Sequence, residues 1–192
     1  MDGKTIERLL RTSDKYNLLW WYYRSCHCKD DFPSNPQSGY YLLNCSSKVD
    51  ELGSHWVVVC YKLNGHTAIL DSMASDPLEA YPLVYETLCK KVKHVFTFSR
   101  QSQADFTTSC SLFVLTYFFL LSRGVTPRQI LNEYFPPIPE EDLWSNDVKC
   151  AAFCSTIYKI KQPERIIFDL DFLMQREALD IKEEEESKNK KR

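Results

Sequence analysis

The sequence lacks the features by which membrane, secreted and nucleic-acid-binding proteins are usually recognised. Its longest apolar run, LFVLTYFFLL at 112–121, is too short to cross a bilayer. Its first residues, MDGKTIERLL, contain no hydrophobic signal-peptide core. The net charge is only −2, which argues against a protein-wide basic surface for nucleic acid. We therefore expect a reducing compartment inside the cell, in which most of the eight cysteines are free thiols.

The composition is that of a globular protein with one hydrophobic core. The chain has 192 residues, of which 44% are hydrophobic, and this length is typical of a single domain. We assign residues 1–182 to that domain. The last ten residues, EEEESKNKKR at 183–192, are charged throughout and are predicted to be a disordered tail.

Strand-like and helix-like segments alternate along the chain and predict an α+β fold. Strands are expected at YYLLNCS (40–46), at 55–63, at 66–70 and at HVFTFS (94–99), with Asn64-Gly65 as a hairpin turn. Helices are expected at 4–12, at 78–91, from Cys110 to Arg123-Gly124, from Thr126-Pro127 onward, and at about 168–182. The polar segment CHCKDDFPSNPQSG (26–39) is predicted to be a loop. A small mixed or antiparallel sheet should therefore pack against a central helix that begins at Cys110.

Four residues in these elements could form a catalytic group. A thiol at a helix N-terminus, such as that of Cys110, feels the positive end of the helix dipole, which favours the reactive thiolate. Adjacent antiparallel strands could bring His55 beside Asp71, whose carboxylate would orient the imidazole. The amide of Gln103, with the Cys110 N–H, could hold an oxyanion. Such a constellation would suit nucleophilic catalysis by Cys110.

Other interpretations of these residues remain open at this stage. A cysteine at the start of an apolar helix is commonly a small core residue, and Asp71 could simply close a turn. Gln101 is an alternative to Gln103, although the spacing to Cys110 favours Gln103. Trp56 could shield the imidazole or contact substrate, or it could be core. We predict no metal site, because the cysteines and histidine at 26–28 would need further ligands, such as the cysteines at 150 and 154.

The order His, Asp, Gln, Cys resembles the adenovirus-type cysteine endopeptidases and the related SUMO-specific proteases. Three short motifs carry this resemblance: Gly53-Ser54-His55-Trp56, Leu70-Asp71-Ser72, and the segment QSQADFTTSCSLF around Cys110. The Leu70-Asp71-Ser72 motif is more similar to the SUMO proteases, whereas the segment before Cys110 is more similar to the adenoviral enzymes. The resemblance implies the fold of that protease clan, with Cys110 as nucleophile, His55 as base, Asp71 orienting it and Gln103 at the oxyanion.

The resemblance also implies a substrate class. Both families cleave after glycine, and the adenovirus-like interpretation is maturation of structural precursor proteins of a virus or mobile element. Such an enzyme would act in the host nucleus or cytoplasm or inside the virion. The alternative is removal of SUMO-like or ubiquitin-like modifiers. A third interpretation is a non-catalytic module that only binds such a partner.

The sequence departs from the adenoviral pattern at two positions. Glycine usually follows the nucleophile, but here it is Ser111. The cysteine that receives the activating peptide of adenoviral enzymes would align near Val92, and Cys89 lies too early. DNA, the other adenoviral cofactor, finds little support in a net charge of −2. We therefore predict protein substrates and no cofactor, although the resemblance would allow a peptide or DNA.

Overall fold

The computed structural model describes residues 1–13, 22–46, 55–63 and 66–167. The predicted turn at 64–65, the helix at 168–182 and the tail at 183–192 lie outside these ranges. The strands are β1 (Tyr23–Cys28), β2 (Gly39–Asn44), β3 (Trp56–Leu63), β4 (His66–Leu70) and β5 (Phe96–Thr97). The helices are α1 (Gly3–Ser13), α2 (Pro77–Ala80), α3 (Pro82–Cys89), α4 (Cys110–Ser122), α5 (Pro127–Gln129), α6 (Trp144–Tyr158) and α7 (Glu164–Ile167).

The five strands form one mixed sheet in the order β1-β2-β3-β4-β5. The outer pairs, β1 with β2 and β4 with β5, are parallel, and the two inner pairs are antiparallel. Helices pack on the sheet, and α4 contacts the central strand β3. The predicted α+β fold with a mixed sheet is therefore confirmed.

Both faces of the central strand β3 are covered from Trp56 to Tyr61, which explains the apolar run in this part of the strand. Val58 and Cys60 join the core formed with α1, α4 and α6, whereas Val57 and Val59 join a second core that includes residues of α3. Side chains of a strand alternate between faces, so a strand buried on both sides needs no polar positions. Each buried valine contributes about 1.5–3 kcal/mol. This burial fixes β3, and with it the residue that precedes it.

Three predicted elements differ from the structure. The sequence predicts a loop at Cys26 and Cys28, but these residues belong to β1, which pairs in parallel with β2. The predicted helix at 78–91 is two helices, because Pro82 starts the second and forces the preceding Tyr81 out of helical geometry. The strand predicted at 94–99 is only two residues long.

All eight cysteines lie in the described part of the chain, and none forms a disulfide. Four are buried and one, Cys89, is exposed. Among the helices within the described ranges, none is both long and apolar enough to cross a membrane.

Candidate active site

The hairpin of β3 and β4 brings His55 beside Asp71. His55 immediately precedes β3 and Asp71 immediately follows β4, and the antiparallel register pairs Val58 with Leu70. The start of one strand therefore lies next to the end of the other. His55 Nε2 is 2.6 Å from Asp71 Oδ1. Because Asp71 engages Nε2, the other ring nitrogen, Nδ1, is left for a second partner.

The Asp71 carboxylate is held by further donors besides His55. Oδ1 also accepts the Met73 N–H at 2.8 Å, and Oδ2 accepts the Ser75 N–H and the Tyr81 hydroxyl, each at 3.2 Å. Burial alone would raise the pKa of Asp71, but the hydrogen bond and charge of His55 and the other donors hold it below its usual value. Asp71 is therefore a fixed anion behind the imidazole.

Cys110 is the first residue of α4, and its thiol is hydrogen-bonded to His55. The Trp56 backbone N–H also donates to the sulfur. Burial would raise the pKa of the Cys110 thiol, but the His55 hydrogen bond and charge, with the Trp56 N–H, lower it below the usual value. In contrast, burial raises the pKa of Cys150 and Cys154.

The pKa of His55 is shifted in the opposite direction to that of the Cys110 thiol. Burial disfavours its charged form, but hydrogen bonds and charges of Asp71 and Cys110 outweigh this and raise the pKa of His55 to about 10. The two pKa shifts are in the directions that favour a thiolate on Cys110 and an imidazolium on His55. Such a pair is the activated form of a cysteine nucleophile.

Gln103 is fixed by hydrogen bonds at both ends of its amide. Its Oε1 accepts the Ser72 hydroxyl at 2.7 Å, and its Nε2 donates to the Thr107 carbonyl at 3.1 Å. Nε2 carries two hydrogens, and residues of the described ranges accept one of them. The side chain of Gln101 instead bonds the Gln103 carbonyl and Asp105 within its own loop. Gln103 is therefore the glutamine with an oriented N–H to offer.

The N-terminus of α4 is uncapped. Ser109 occupies the N-cap position but makes no capping hydrogen bond with its side chain. Its hydroxyl donates instead to the buried carboxylate of Asp147. In the described structure the Cys110 N–H also has no acceptor. The first turn of the nucleophile helix therefore keeps backbone donors for a developing negative charge.

Trp56 is placed under the N-terminal segment. Its side chain is 8% exposed and its indole N–H donates to the Met1 carbonyl at 3.0 Å. The ring lies so close to Gly3 that a Cβ there would meet it at 2.9 Å. A role of this side chain in substrate binding stays a prediction; its backbone N–H is what reaches the thiol.

The sequence analysis assigned no role to three residues that support the site: Ser72, Tyr81 and Asp147. The signal for Ser72 was its position next to Asp71 in the Leu70-Asp71-Ser72 motif. Tyr81-Pro82 marks a helix break, but nothing in the sequence indicates that the break aims the phenol at Asp71. Asp147 follows Gln103 by a long stretch of chain, so only the fold reveals the contact. Ser111 is fully buried, and its hydroxyl has no hydrogen-bond partner in the described structure.

Potential metal ligands lie elsewhere. Cys28, Asp30 and Asp31 offer a thiol and two carboxylates within 4.8 Å of one another. Neither Cys26 nor the cysteines of α6 belong to that group within the described residues, so the combination considered from the sequence is not assembled. Cys154 instead bonds the Leu112 carbonyl on α4.

No protein-family model matches this sequence, and no curated protein matches it either. The chemical interpretation of the site therefore depends on the residues and their geometry.

Proposed function

We propose that this protein is a cysteine endopeptidase with Cys110 as its nucleophile. The observation that carries the proposal is the hydrogen-bonded series Cys110, His55, Asp71, which begins at an uncapped helix N-terminus. A buried core cysteine would need none of these partners. The lowered pKa of Cys110 and the raised pKa of His55 are what a thiolate–imidazolium nucleophile requires.

The reaction runs through a thioester. The Cys110 thiolate attacks the peptide carbonyl carbon, and the resulting oxyanion is held by the Gln103 amide and the Cys110 N–H. When the C–N bond breaks, the His55 imidazolium gives its proton to the leaving amine. His55 then accepts a proton from water, whose oxygen attacks the thioester and releases the acid and the thiolate. Asp71 keeps the imidazole oriented and supports its positive charge throughout.

The substrate class rests on the resemblance described above. We propose a fold of the adenovirus-endopeptidase and SUMO-protease type, and maturation cleavage of viral or mobile-element structural precursors near glycine. Two observations support this proposal: His55 contacts both Asp71 and Cys110, and the Gln103 side chain is hydrogen-bonded to Ser72, the residue after Asp71. No cofactor is needed for the steps above.

Deconjugation of a SUMO-like or ubiquitin-like modifier is the second candidate. The observation in its favour is Ser72, the residue of the Leu70-Asp71-Ser72 motif that is more similar to the SUMO proteases. Its hydroxyl orients the Gln103 amide at 2.7 Å. The motif therefore has a structural task beside the oxyanion donor.

A panel of covalent probes and a peptide library, applied to the same protein, separate these functions. A panel of ubiquitin-like vinyl sulfones is incubated with the wild type and with Cys110→Ala, and a proteome-derived peptide library is digested in parallel. Cleavage of the library after glycine without labelling by the panel supports a precursor protease. Labelling of Cys110 by one modifier supports a deconjugase. A wild type that binds a modifier but neither labels nor cleaves would indicate a non-catalytic module and contradict the proposal.

A further inference from the structure

The segment that joins the oxyanion donor to the nucleophile has no regular structure of its own. Residues 104–109, which lie between Gln103 and the start of α4, contain only turns and irregular structure. The distance between the Gln103 amide and the Cys110 N–H therefore depends on what anchors this segment. Catalytic donors must be held to within about 0.5 Å for full effect, and an irregular segment does not provide that precision by itself.

Asp147, on the first turn of α6, is the anchor at both ends of that segment. One carboxylate oxygen, Oδ2, accepts the Ala104 N–H at 3.1 Å, next to Gln103. The other, Oδ1, accepts the Thr107 hydroxyl at 2.6 Å and the Ser109 hydroxyl, next to Cys110. The preceding residue, Asn146, adds a bond from its side-chain nitrogen to the Ser102 carbonyl at 3.0 Å.

Asp147 is unusual for a residue that only supports packing. It is fully buried, and no cation among the described residues pairs with it. Burial raises the pKa of this carboxyl, although the hydrogen bonds from Ser109, Thr107 and Ala104 act to lower it. Burying a carboxylate without a cation costs free energy that an apolar side chain would not. A positional task explains why a carboxylate stands here.

The same contact affects the helix N-terminus. Serine at an N-cap normally accepts a hydrogen bond from the second or third helical N–H. Asp147 holds the Ser109 side chain by accepting its hydroxyl hydrogen, and in this position the hydroxyl oxygen makes no capping bond. The positive end of α4 is thereby left for the thiolate and for the oxyanion.

We propose that Asp147 is a positioning residue for acyl transfer: it ties both ends of the 104–109 segment to α6 and so fixes the Gln103 amide relative to Cys110. The inference rests on the proposed function, because it assigns Asp147 a task in that reaction. It acts through Gln103 and the start of α4, and does not touch substrate.

Two reagents separate this role from general support of the fold. p-Nitrophenyl acetate acylates Cys110 through a tetrahedral oxyanion, whereas iodoacetamide alkylates the thiolate without one. Both rates are measured at Cys110 by mass spectrometry for wild type, Asp147→Asn, Gln103→Ala and the double variant. Thr116→Val is the matched control, because it removes a buried hydroxyl on α4 that bonds the Leu112 carbonyl and not the segment.

We expect Asp147→Asn to lower acylation by about tenfold or more, as for partial misplacement of an oxyanion donor, with alkylation within about threefold of wild type. Gln103→Ala should lower acylation by about 10²–10³. If Asp147 acts through Gln103, the double variant should be no slower than Gln103→Ala alone, a non-additive result typical of residues that share one task. Thr116→Val should leave the ratio of the two rates unchanged.

Three outcomes would overturn the inference. They are an unchanged ratio in Asp147→Asn, multiplied losses in the double variant, or a parallel fall of both rates with the melting temperature. If Asp147→Asn fails to fold, Thr107→Val serves instead, because it deletes one of the hydroxyls at Oδ1, together with that hydroxyl's contacts to the Ala104 carbonyl and the Ser109 hydroxyl; a smaller fall of the same ratio is expected. A wild-type Cys110 that reacts no faster than N-acetylcysteine with either reagent would overturn the proposed function itself, and this inference with it.

Discussion

Among the residues that the structure describes, two histidines pair with aspartates, and the two pairs differ in their surroundings. His55 Nε2 lies 2.6 Å from Asp71 Oδ1 at the end of the inner hairpin. His27 Nδ1 lies 3.4 Å from Asp31 Oδ1 at the end of β1, and its Nε2 is 2.6 Å from the Ser25 hydroxyl. On paper, Ser25, His27 and Asp31 make a nucleophile–base–acid series too.

The surroundings decide which pair can do chemistry. The Asp71 side chain is 2% exposed, whereas that of Asp31 is 27% exposed, so water screens the second pair much more than the first. Ser25 lies within a strand and has no helix N-terminus behind it, while Cys110 opens α4. A histidine beside a carboxylate is therefore not enough to identify a site. The buried carboxylate of Asp71 and the uncapped N-terminus of α4 make the His55 pair the candidate.

Removal of each imidazole should give the largest contrast between the pairs. His55→Ala should lower kcat for a peptide that the wild type cleaves by about 10⁴–10⁶, as expected for loss of the general base of a covalent mechanism. His27→Ala should leave kcat within about twofold, because its ring contacts Ser25 and Asp31 and not Cys110 or Asp71. Steady-state hydrolysis with both variants at equal folded concentration checks this. Equal losses in the two variants would contradict the assignment of the site to His55.

The two carboxylates should differ by a smaller factor. Asp71→Asn keeps the shape but allows the wrong imidazole tautomer, and we expect kcat to fall by about 10²–10⁴. Asp31→Asn is the matched control, for which we expect no more than a small effect, since Asp31 is partly exposed and its pair is longer. The measurement is kcat and KM for both variants, with a thermal melt to confirm folding. A larger loss in Asp31→Asn than in Asp71→Asn would reverse the comparison.

The pH dependences of Cys110 alkylation and of peptide hydrolysis should report the ionisation of the thiol and of the imidazole separately. Alkylation of Cys110 needs only the thiolate, whose pKa is lowered; its rate should stay constant down to pH values at which N-acetylcysteine is no longer reactive, then fall about tenfold per pH unit. Peptide hydrolysis also needs the His55 proton, so it should fall again as the pH rises through about 10. Alkylation that follows N-acetylcysteine at every pH would show that the pair is not formed.

The sequence predicted most of this site because its members adjoin regular elements. His55 and Asp71 flank two strands whose apolar runs are clear, and Cys110 opens an unbroken apolar helix. What failed were features decided by partners distant in sequence. The polar segment that contains Cys26 and Cys28 predicts a loop, whereas pairing with β2 makes it a strand. Asp147 gave no signal, since a single acidic residue in a helix usually faces solvent.

The supporting contacts of Asp71 offer the smallest test of the comparison. The Tyr81 hydroxyl donates to Asp71 Oδ2 at 3.2 Å. Tyr81→Phe removes that donor and leaves the bonds from His55, Met73 and Ser75. Loss of this one hydrogen bond should raise the activation free energy by about 0.5–1.5 kcal/mol, which lowers kcat by about two- to tenfold.

Tyr41→Phe is the matched control for that variant. Tyr41 is a buried tyrosine on β2 whose hydroxyl donates to the neutral Gln37 carbonyl at 2.7 Å, so its loss removes a phenol hydrogen bond without touching Asp71. Both variants should lose some stability, measured by thermal melting, while only Tyr81→Phe should lower kcat. If both lower kcat equally, the loss reflects stability and not the hydrogen bond to Asp71. If only Tyr81→Phe does so, the Tyr81 hydroxyl tunes the carboxylate behind His55, which sharpens the contrast with the more exposed Asp31.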